Sequence, residues 1–336
     1  MVSTRLTAGA SPTRRVLGAA ALGAGLAFAG PALAQTFPSQ PVTMVIPFAP
    51  GGPTDVVGRL LAEVMGRDLG VNVVVENRGG AGGTIGVNRV VQARNDGHTI
   101  LYTNIGIATQ PTLYRRLAYN PLTDLEPFGL VTPTPMVISV RPNFPGQTLA
   151  DFLAYARERR DGVNLANAGL GSASQLCGTL LQASLGINFT TVSFTGSGPI
   201  FPELMAGRVD VYCDQTTSSL PFVQDGRIRG LAMATAQRLP QAPNIPTTAE
   251  AGLPNFEISI WHGMYAPRGT PRPVIDRLNR ALRVAVQDAA VIARLNALAS
   301  PPEPLDRVTP EAHRAFLEAE INRWRPVLQA AGQFAD

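Results

Sequence analysis

The sequence predicts an α/β fold of two lobes joined by two strands, with a small-molecule cleft between them. Three observations carry this. Strand-like and helical stretches alternate from Thr43 to about Leu295, the pattern of a mostly parallel sheet covered by helices. Four glycine-rich turns lead from a strand into a helix, and they are divided between the two halves of the chain. Two segments read as crossings, Pro133-Thr134-Pro135 and the strand Ile258–Tyr265 that leads into Ala266-Pro267-Arg268-Gly269-Thr270-Pro271. A chain that leaves one lobe, builds a second and returns places residues 35–135 plus 263–336 in lobe I and 136–262 in lobe II.

Taken in order, the chain opens with an export segment. Arg14-Arg15 precede an apolar run from Val16 to Ala29, and Ala32-Leu33-Ala34 supplies a small-x-small cleavage site before Gln35. The run is too short for a membrane span. Thr13-Arg14-Arg15-Val16-Leu17 is similar to a twin-arginine signal, although general secretion signals also carry arginine pairs. Residues 1–34 are therefore read as a cleavable signal peptide that directs export of the chain.

The first strand, Val42–Ile46, runs through Pro47-Phe48-Ala49-Pro50-Gly51-Gly52-Pro53 into a helix bearing Val56, Leu60, Leu61 and Val64. Such a junction aims unpaired backbone N–H groups, with the positive end of the helix dipole behind them, at whatever lies above the strand's C-terminal edge. Proline suits the first helical position, where its missing N–H costs nothing. The design recurs after the strand Val71–Val75, where Glu76 to Gly86 precede a helix with Val87, Val90 and Val91. Strands Thr99–Thr103, Met136–Val140 and Val163–Ala166 come next. Ala168 to Ser174 then open the helix of Leu176, Leu180 and Leu181. The strand Thr190–Phe194 leads through Thr195-Gly196-Ser197-Gly198-Pro199 into Ile200–Ala206, and strands Val209–Tyr212, Leu231–Ala234 and Glu257–Tyr265 complete the set. Two amphipathic helices close the chain. Arg272–Asp288 carries Val274, Ile275, Leu278, Leu282 and Val286, and Pro310–Ala331 carries Phe316, Leu317, Ile321, Trp324 and Leu328.

Composition excludes several chemistries. All 28 basic residues are arginine, which rules out a phosphate-loop lysine, a Schiff-base lysine and a kinase-type lysine. His98, His262 and His313 stand far apart without metal-ligand spacing, so no metal and no cofactor are expected. Removing residues 1–34 from the 336 leaves 302, and the loss of Arg5, Arg14 and Arg15 lowers the net charge from +4 to +1. No nucleic-acid surface is implied. The run from Gly80 to Gly86 lacks G-x-G-x-x-G spacing, because Ile85 holds the third glycine position. Ser172 and Ser174 lack the G-x-S-x-G elbow. A hydrolase built on Ser172 with a distant His262 and a ligand-free interaction module are the rival readings, and ester turnover or a ligand screen separates them from a binder.

The residues resemble the Bug-type periplasmic solute-binding proteins that serve tripartite tricarboxylate transporters. The resemblance is carried by Pro47-Phe48-Ala49-Pro50-Gly51-Gly52 with Asp55, by Val75-Glu76-Asn77-Arg78 with the glycines to Gly86, and by Gly169-x-Gly171-Ser172. Gly196-Ser197-Gly198-Pro199, Leu204-x-x-Gly207-x-Val209-Asp210 and Ala266-Pro267-x-Gly269-Thr270-Pro271 extend it across the mature chain. The resemblance implies a monomeric, non-enzymatic Venus-flytrap clamp with two hinge strands. Such a clamp captures a small organic acid and delivers it to the membrane subunits of the transporter, holding the carboxylate with backbone amides, hydroxyls and waters. Two positions depart from the family pattern: Gln175 replaces a common histidine, and Thr195 a common arginine or lysine.

The candidate ligand-binding residues are Phe48, Gly51, Gly52, Asp55, Gly82, Gly83, Thr84, Asn104, Gly171, Ser172, Thr195, Gly196 and Asp214. The paired glycines read either as turn formers or as points of close ligand approach. Asp55 suits a first helical turn, where it also braces the loop, and alternatively contacts the ligand. Ser172 and Ser174 are candidate helix caps, Asn104 ends a strand where open α/β sheets bind ligands, and Asp214 faces either a turn or the cleft. Arg78 reads as a partner of Glu76, and Trp261 and His262 as core. Cys177 and Cys213 leave two alternatives, a bridge or two buried thiols. Their placement near the ligand-facing edge of lobe II, and the same pairing in similar family members, favour a Cys177–Cys213 disulfide.

Overall fold

The first strand, β1 (Val42–Ile46), is buried along nearly its whole length because both of its faces are covered. Val42, Met44 and Ile46 join one apolar cluster and Val45 another, which explains an apolar run without alternation. Helix α1 (Pro53–Leu69) starts on Gly52 with Pro53 in its first turn and ends at Gly70, whose φ of 74° only glycine adopts freely. β2 (Val73–Asn77) and β3 (Thr99–Asn104) flank β1 in parallel. Between them lie a 3₁₀ turn, Ala81–Gly83, and α2 (Thr84–Val91). α3 (Gly106–Leu113) comes directly after β3. The computed structural model describes residues 1–5, 37–332, 334 and 335, and the folded unit spans residues 37–336. The apolar run and cleavage site of the export segment lie outside the described residues.

The next strand is longer than the sequence implies. β4 runs from Leu125 to Val140, straight through Pro133 and Pro135, where the sequence reading places a break before Met136. Over residues 125–135 its only strand partner among the described residues is β9 (Ser259–Pro267), antiparallel to it. With just one neighbour to serve, that stretch can hold prolines that withhold a ladder donor. From Met136 onward β4 instead pairs with β7 (Val211–Gln215) and β8 (Arg229–Met233).

The second half is built from α4 (Leu149–Arg159), β5 (Asn164–Asn167), α5 (Ala173–Leu185), β6 (Thr190–Ser193), α6 (Ile200–Met205), β7 and α7 (Thr216–Gln224). β5 lies parallel to both β6 and β7. The strand order is β2-β1-β3-β9-β4-β7-β5-β6, with β8 also on β4. The sheet is therefore mixed: parallel at its two ends and antiparallel around β4 and β9, the two strands that link the lobes. α8 (Arg272–Gln287) and α9 (Ala289–Ala297) pack on α1, and α10 (Pro310–Ala331) packs on α3 and β4, so the chain returns to the side from which it began. The stripe of Ile275, Leu278, Leu282 and Val286 on α8 is buried as its spacing predicts, each side chain stabilising the fold by about 2 kcal/mol.

Candidate functional site

The C-terminal ends of five strands meet around one small space. Phe48, Pro53 and Thr54 come from the β1–α1 turn, and Asn104 from the end of β3. Ala168, Ser172, Ala173 and Ser174 come from the β5–α5 turn, Ser197 from the turn before α6, and Asp214 and Gln215 from β7. The space measures about 10 Å³, room for roughly one water.

Helices α1, α5 and α7 begin at this space. α1 starts on Gly52 and α7 on Gln215, and neither start has a side-chain cap among the described residues, so their first-turn N–H groups remain open to an anion. α5 is capped, with Ser172 Oγ accepting from Gln175 N at 3.2 Å. Ser172 Oγ also lies 3.3 Å from Ser174 Oγ, which accepts from Ala168 N at 2.9 Å. Asn104 Oδ1 accepts from Gly106 N at 3.0 Å, fixing the side chain so that its Nδ2 reaches Thr54 Oγ1 at 3.4 Å. Behind Thr54 stands His262 of β9, its Nε2 3.5 Å from that hydroxyl and its ring stacked on Tyr102. Burial pushes the His262 pKa down to about 3, so the imidazole is neutral.

Among the described residues, the only charged one lining the space is Asp214. Ser218 Oγ donates to its Oδ2 at 2.6 Å and Ser197 Oγ to its Oδ1 at 3.2 Å, while Tyr212 OH donates to Ser197 Oγ at 2.6 Å. Burial outweighs these donors and raises the Asp214 pKa to about 6, because no cation stands among its partners in the described residues. Gln215, next to it, is 1% exposed, and its Oε1 has no hydrogen-bond partner among the described residues.

Of the residues expected from the sequence, Phe48, Asn104, Ser172 and Asp214 line the space. Asp55 instead braces the β1–α1 turn. Its carboxylate accepts from Gly51 N at 2.9 Å, Asn77 Nδ2 at 2.9 Å and Arg59 Nε at 3.0 Å. Burial raises its pKa, but those donors together hold it below the usual carboxylate range. Thr84 Oγ1 donates to Ala81 O, and Arg78 pairs with Glu76 at 2.6 Å.

Gly51, Gly52, Gly82, Gly83, Gly171, Thr195 and Gly196 do not line the space. Most of these turns face a turn of the opposite half. Ala49 N donates to Thr195 O at 3.2 Å, Tyr114 OH to Leu170 O at 2.8 Å and Thr109 Oγ1 to Gly171 O at 3.2 Å. A Cβ on Gly82 would stand 1.6 Å from Leu170 O, and one on Gly198 2.1 Å from Pro50 O. Bare backbone at these positions is what lets the halves meet.

Thr54, Ser197 and Gln215 also line the space, and the sequence reading does not single them out. The signal for the α7 start is the hydroxyl run Gln215-Thr216-Thr217-Ser218-Ser219 directly after a strand, which a search for glycine passes over. A disulfide does join Cys177 to Cys213, with Cα atoms 6.0 Å apart, and ties α5 to β7.

A family profile described as the tripartite tricarboxylate transporter family receptor (TctC) matches residues 57–333. The chain belongs to this family. Solved relatives share the family fold. The periplasmic binding protein BugD is 41% identical, with a TM-score of 0.87 over 89% of this chain and 100% of its own. MatC from Rhodopseudomonas palustris, solved with bound malate, is 39% identical with a TM-score of 0.83 over 87% and 99%. Rpa4515 from R. palustris, solved with adipate, is 34% identical with a TM-score of 0.83 over 88% and 98%. The family is one of solute-binding receptors, and these relatives make the fold that of a two-lobed periplasmic binding protein.

Proposed function

We propose that this chain is a periplasmic receptor that closes on a small organic acid and presents it to the membrane subunits of a tripartite transporter. One observation carries the reading: the starts of α1, α5 and α7 converge on a space whose described lining holds hydroxyls, amides and the single buried carboxyl of Asp214, with no basic side chain. Helix N-termini hold a carboxylate through N–H groups and fixed dipoles. The malate of MatC and the adipate of Rpa4515 support the ligand class.

Lobe I, residues 35–135 plus 263–336, and lobe II, residues 136–262, act as the jaws, with β4 and β9 as hinges. Each lobe contributes helix starts, so the ligand binds the closed arrangement better than the open one and shifts the population toward it. The protein works as a monomer after removal of residues 1–34. The test is a thermal-shift screen of mono-, di- and tricarboxylates, aromatic acids and amino acids, with calorimetry on every hit. A true ligand raises the melting temperature as ligand concentration exceeds Kd and titrates at one per chain. No shift from any acid in the panel overturns the reading.

A further inference from the structure

We propose that Tyr114 latches the two lobes in the closed arrangement, and that Phe334 and Ala335, beyond the end of α10, position it for that contact. The inference rests on the closing receptor proposed above and adds a determinant of affinity that lies outside the lining of the central space.

α3 reaches toward the opposite lobe with two hydroxyls. Thr109 Oγ1 lies 3.2 Å from Gly171 O, and Tyr114 OH donates to Leu170 O at 2.8 Å. Both acceptors belong to the β5–α5 turn, which carries Ser172 and Ala173 into the lining. Thr109 is placed by its own helix, where its hydroxyl also bonds to Gly106 O at 3.1 Å. Tyr114 is placed differently. With φ −102° and ψ 116° it is extended backbone just past the last turn of α3, so the helix does not fix it.

Its support comes from the segment after α10. Ala335 N donates to Leu113 O at 2.8 Å and Arg115 N donates to Ala335 O at 2.9 Å, a parallel bridge that grips the backbone on both sides of Tyr114. The Arg115 guanidinium lies over the Phe334 ring, 5.7 Å from its centroid. The far end of the tyrosine meets both facing turns. Its hydroxyl stands 3.1 Å from where a Cβ on Gly82 would be, and its ring edge 3.4 Å from where one on Gly171 would be. Gly82 O in turn accepts from Gln110 Nε2 of α3 at 2.9 Å.

When the lobes part, the phenol and Leu170 O both return to water, so this bond favours the closed arrangement alone. A ligand that prefers that arrangement then binds more tightly. The bridge to Ala335 holds the tyrosine in place beforehand, so less freedom is lost when the bond forms.

The test is calorimetry and stopped-flow binding on the full mature chain. The probe is whichever of succinate, malate, citrate and glutamate binds most tightly, or, failing these, the acid of the panel above with the largest thermal shift. Tyr114→Phe keeps the ring and removes the donor. Affinity should fall about two- to tenfold, the worth of one hydrogen bond, through faster release at an association rate within about twofold of wild type. The ligand-free melting temperature should hold within about 2 °C. Ala335→Pro removes the N–H that bonds to Leu113 O and should cost a similar factor alone, but no more than about 1.5-fold on top of Tyr114→Phe. Ala335→Ser, which keeps the N–H, should bind like the wild type. Phe334→Ala repeats the comparison if the proline variant does not fold. Wild-type affinity in Tyr114→Phe overturns the latch. Wild-type affinity in the segment variant, or a loss that multiplies fully onto Tyr114→Phe, overturns the positioning role. Binding by no acid at all overturns the receptor reading first, and with no closure to latch this inference falls with it.

Discussion

Gly198→Ala tests the closure argument most directly. Gly198 lies in the turn before α6, outside the lining of the central space, and its φ is not positive, so its own backbone accepts alanine without strain. Only the opposite half objects. The new Cβ would lie 2.1 Å from Pro50 O and 3.2 Å from Pro50 C, both backbone atoms of the β1–α1 turn. Reaching van der Waals separation requires that carbonyl to retreat by more than about 1 Å. The turn is braced by Asp55 and does not yield alone, so the closed arrangement is raised by the usual overpacking cost of about 1–3 kcal/mol. The open arrangement has no such contact, and an alanine for glycine there contributes about 0.4–1 kcal/mol of stability through the unfolded chain. Ligand affinity should fall by roughly 5- to 150-fold while the ligand-free melting temperature holds or rises. Calorimetry and a ligand-free melting curve give both numbers, and small-angle scattering should show a failure to compact on adding ligand. A variant that binds like the wild type, or one that melts several degrees lower without ligand, refutes the reasoning.

Three further outcomes are expected from side chains already described. The folded Asp214 pKa of about 6 lies above its ordinary value of 3.8, so the stability this group confers is full below pH 3.8 and is lost as pH rises through 6. Denaturant titrations at pH 4 and 7.5 should show Asp214→Asn gaining roughly 2.5 kcal/mol on the wild type between the two, and a constant difference would contradict the burial argument. Asp55→Ala leaves Gly51 N, Arg59 and Asn77 without their acceptor and should cost about 1–3 kcal/mol near neutral pH, read from the denaturation midpoint. The difference should narrow in acid, because the Asp55 pKa is lowered and its contribution fades as it protonates. Replacing Cys177 and Cys213 by serine opens a 36-residue loop and should cost about 4 kcal/mol in the chain-entropy model, while unreduced wild-type protein should give no thiol signal when denatured.

Most of the framework is legible in the sequence because its signals are local. A β-branched run buried on both faces, as in β1, cannot be mistaken for a polar loop, and the stripe on α8 has only one helical reading. β4 is only half legible for a physical reason: proline argues against a central strand, yet residues 125–135 have a described strand partner on one side only. The site is legible where a motif marks it and illegible where only topology does. Ser172 caps a helix after a glycine turn and is visible in sequence; Gln215 reaches the same space on a strand whose helix start carries no glycine. The glycines carry an ambiguous signal. They announce that something must come close, but not whether it is a ligand or, as for Gly82 and Gly198, the backbone of the facing turn.

The prolines of β4 give the hinge a mechanical character. Where the strand changes partners, from β9 to β7 and β8, Pro133 and Pro135 have no N–H to give, so flexing at that point breaks fewer ladder bonds than it would in an ordinary strand. The threonines on either side of Pro133 are anchored by their side chains: Thr132 and Thr134 each hydrogen bond to Ser300 Oγ at 2.7 Å, at a point buried between the strand and the segment after α9. A joint thin in main-chain bonds and pinned by one buried hydroxyl behaves like a leaf spring clamped at its midpoint, compliant to bending but resistant to shear. In the closure proposed above, a spring of this kind would bring the jaws back to one register, as turns of bare backbone meeting within ångströms of each other require.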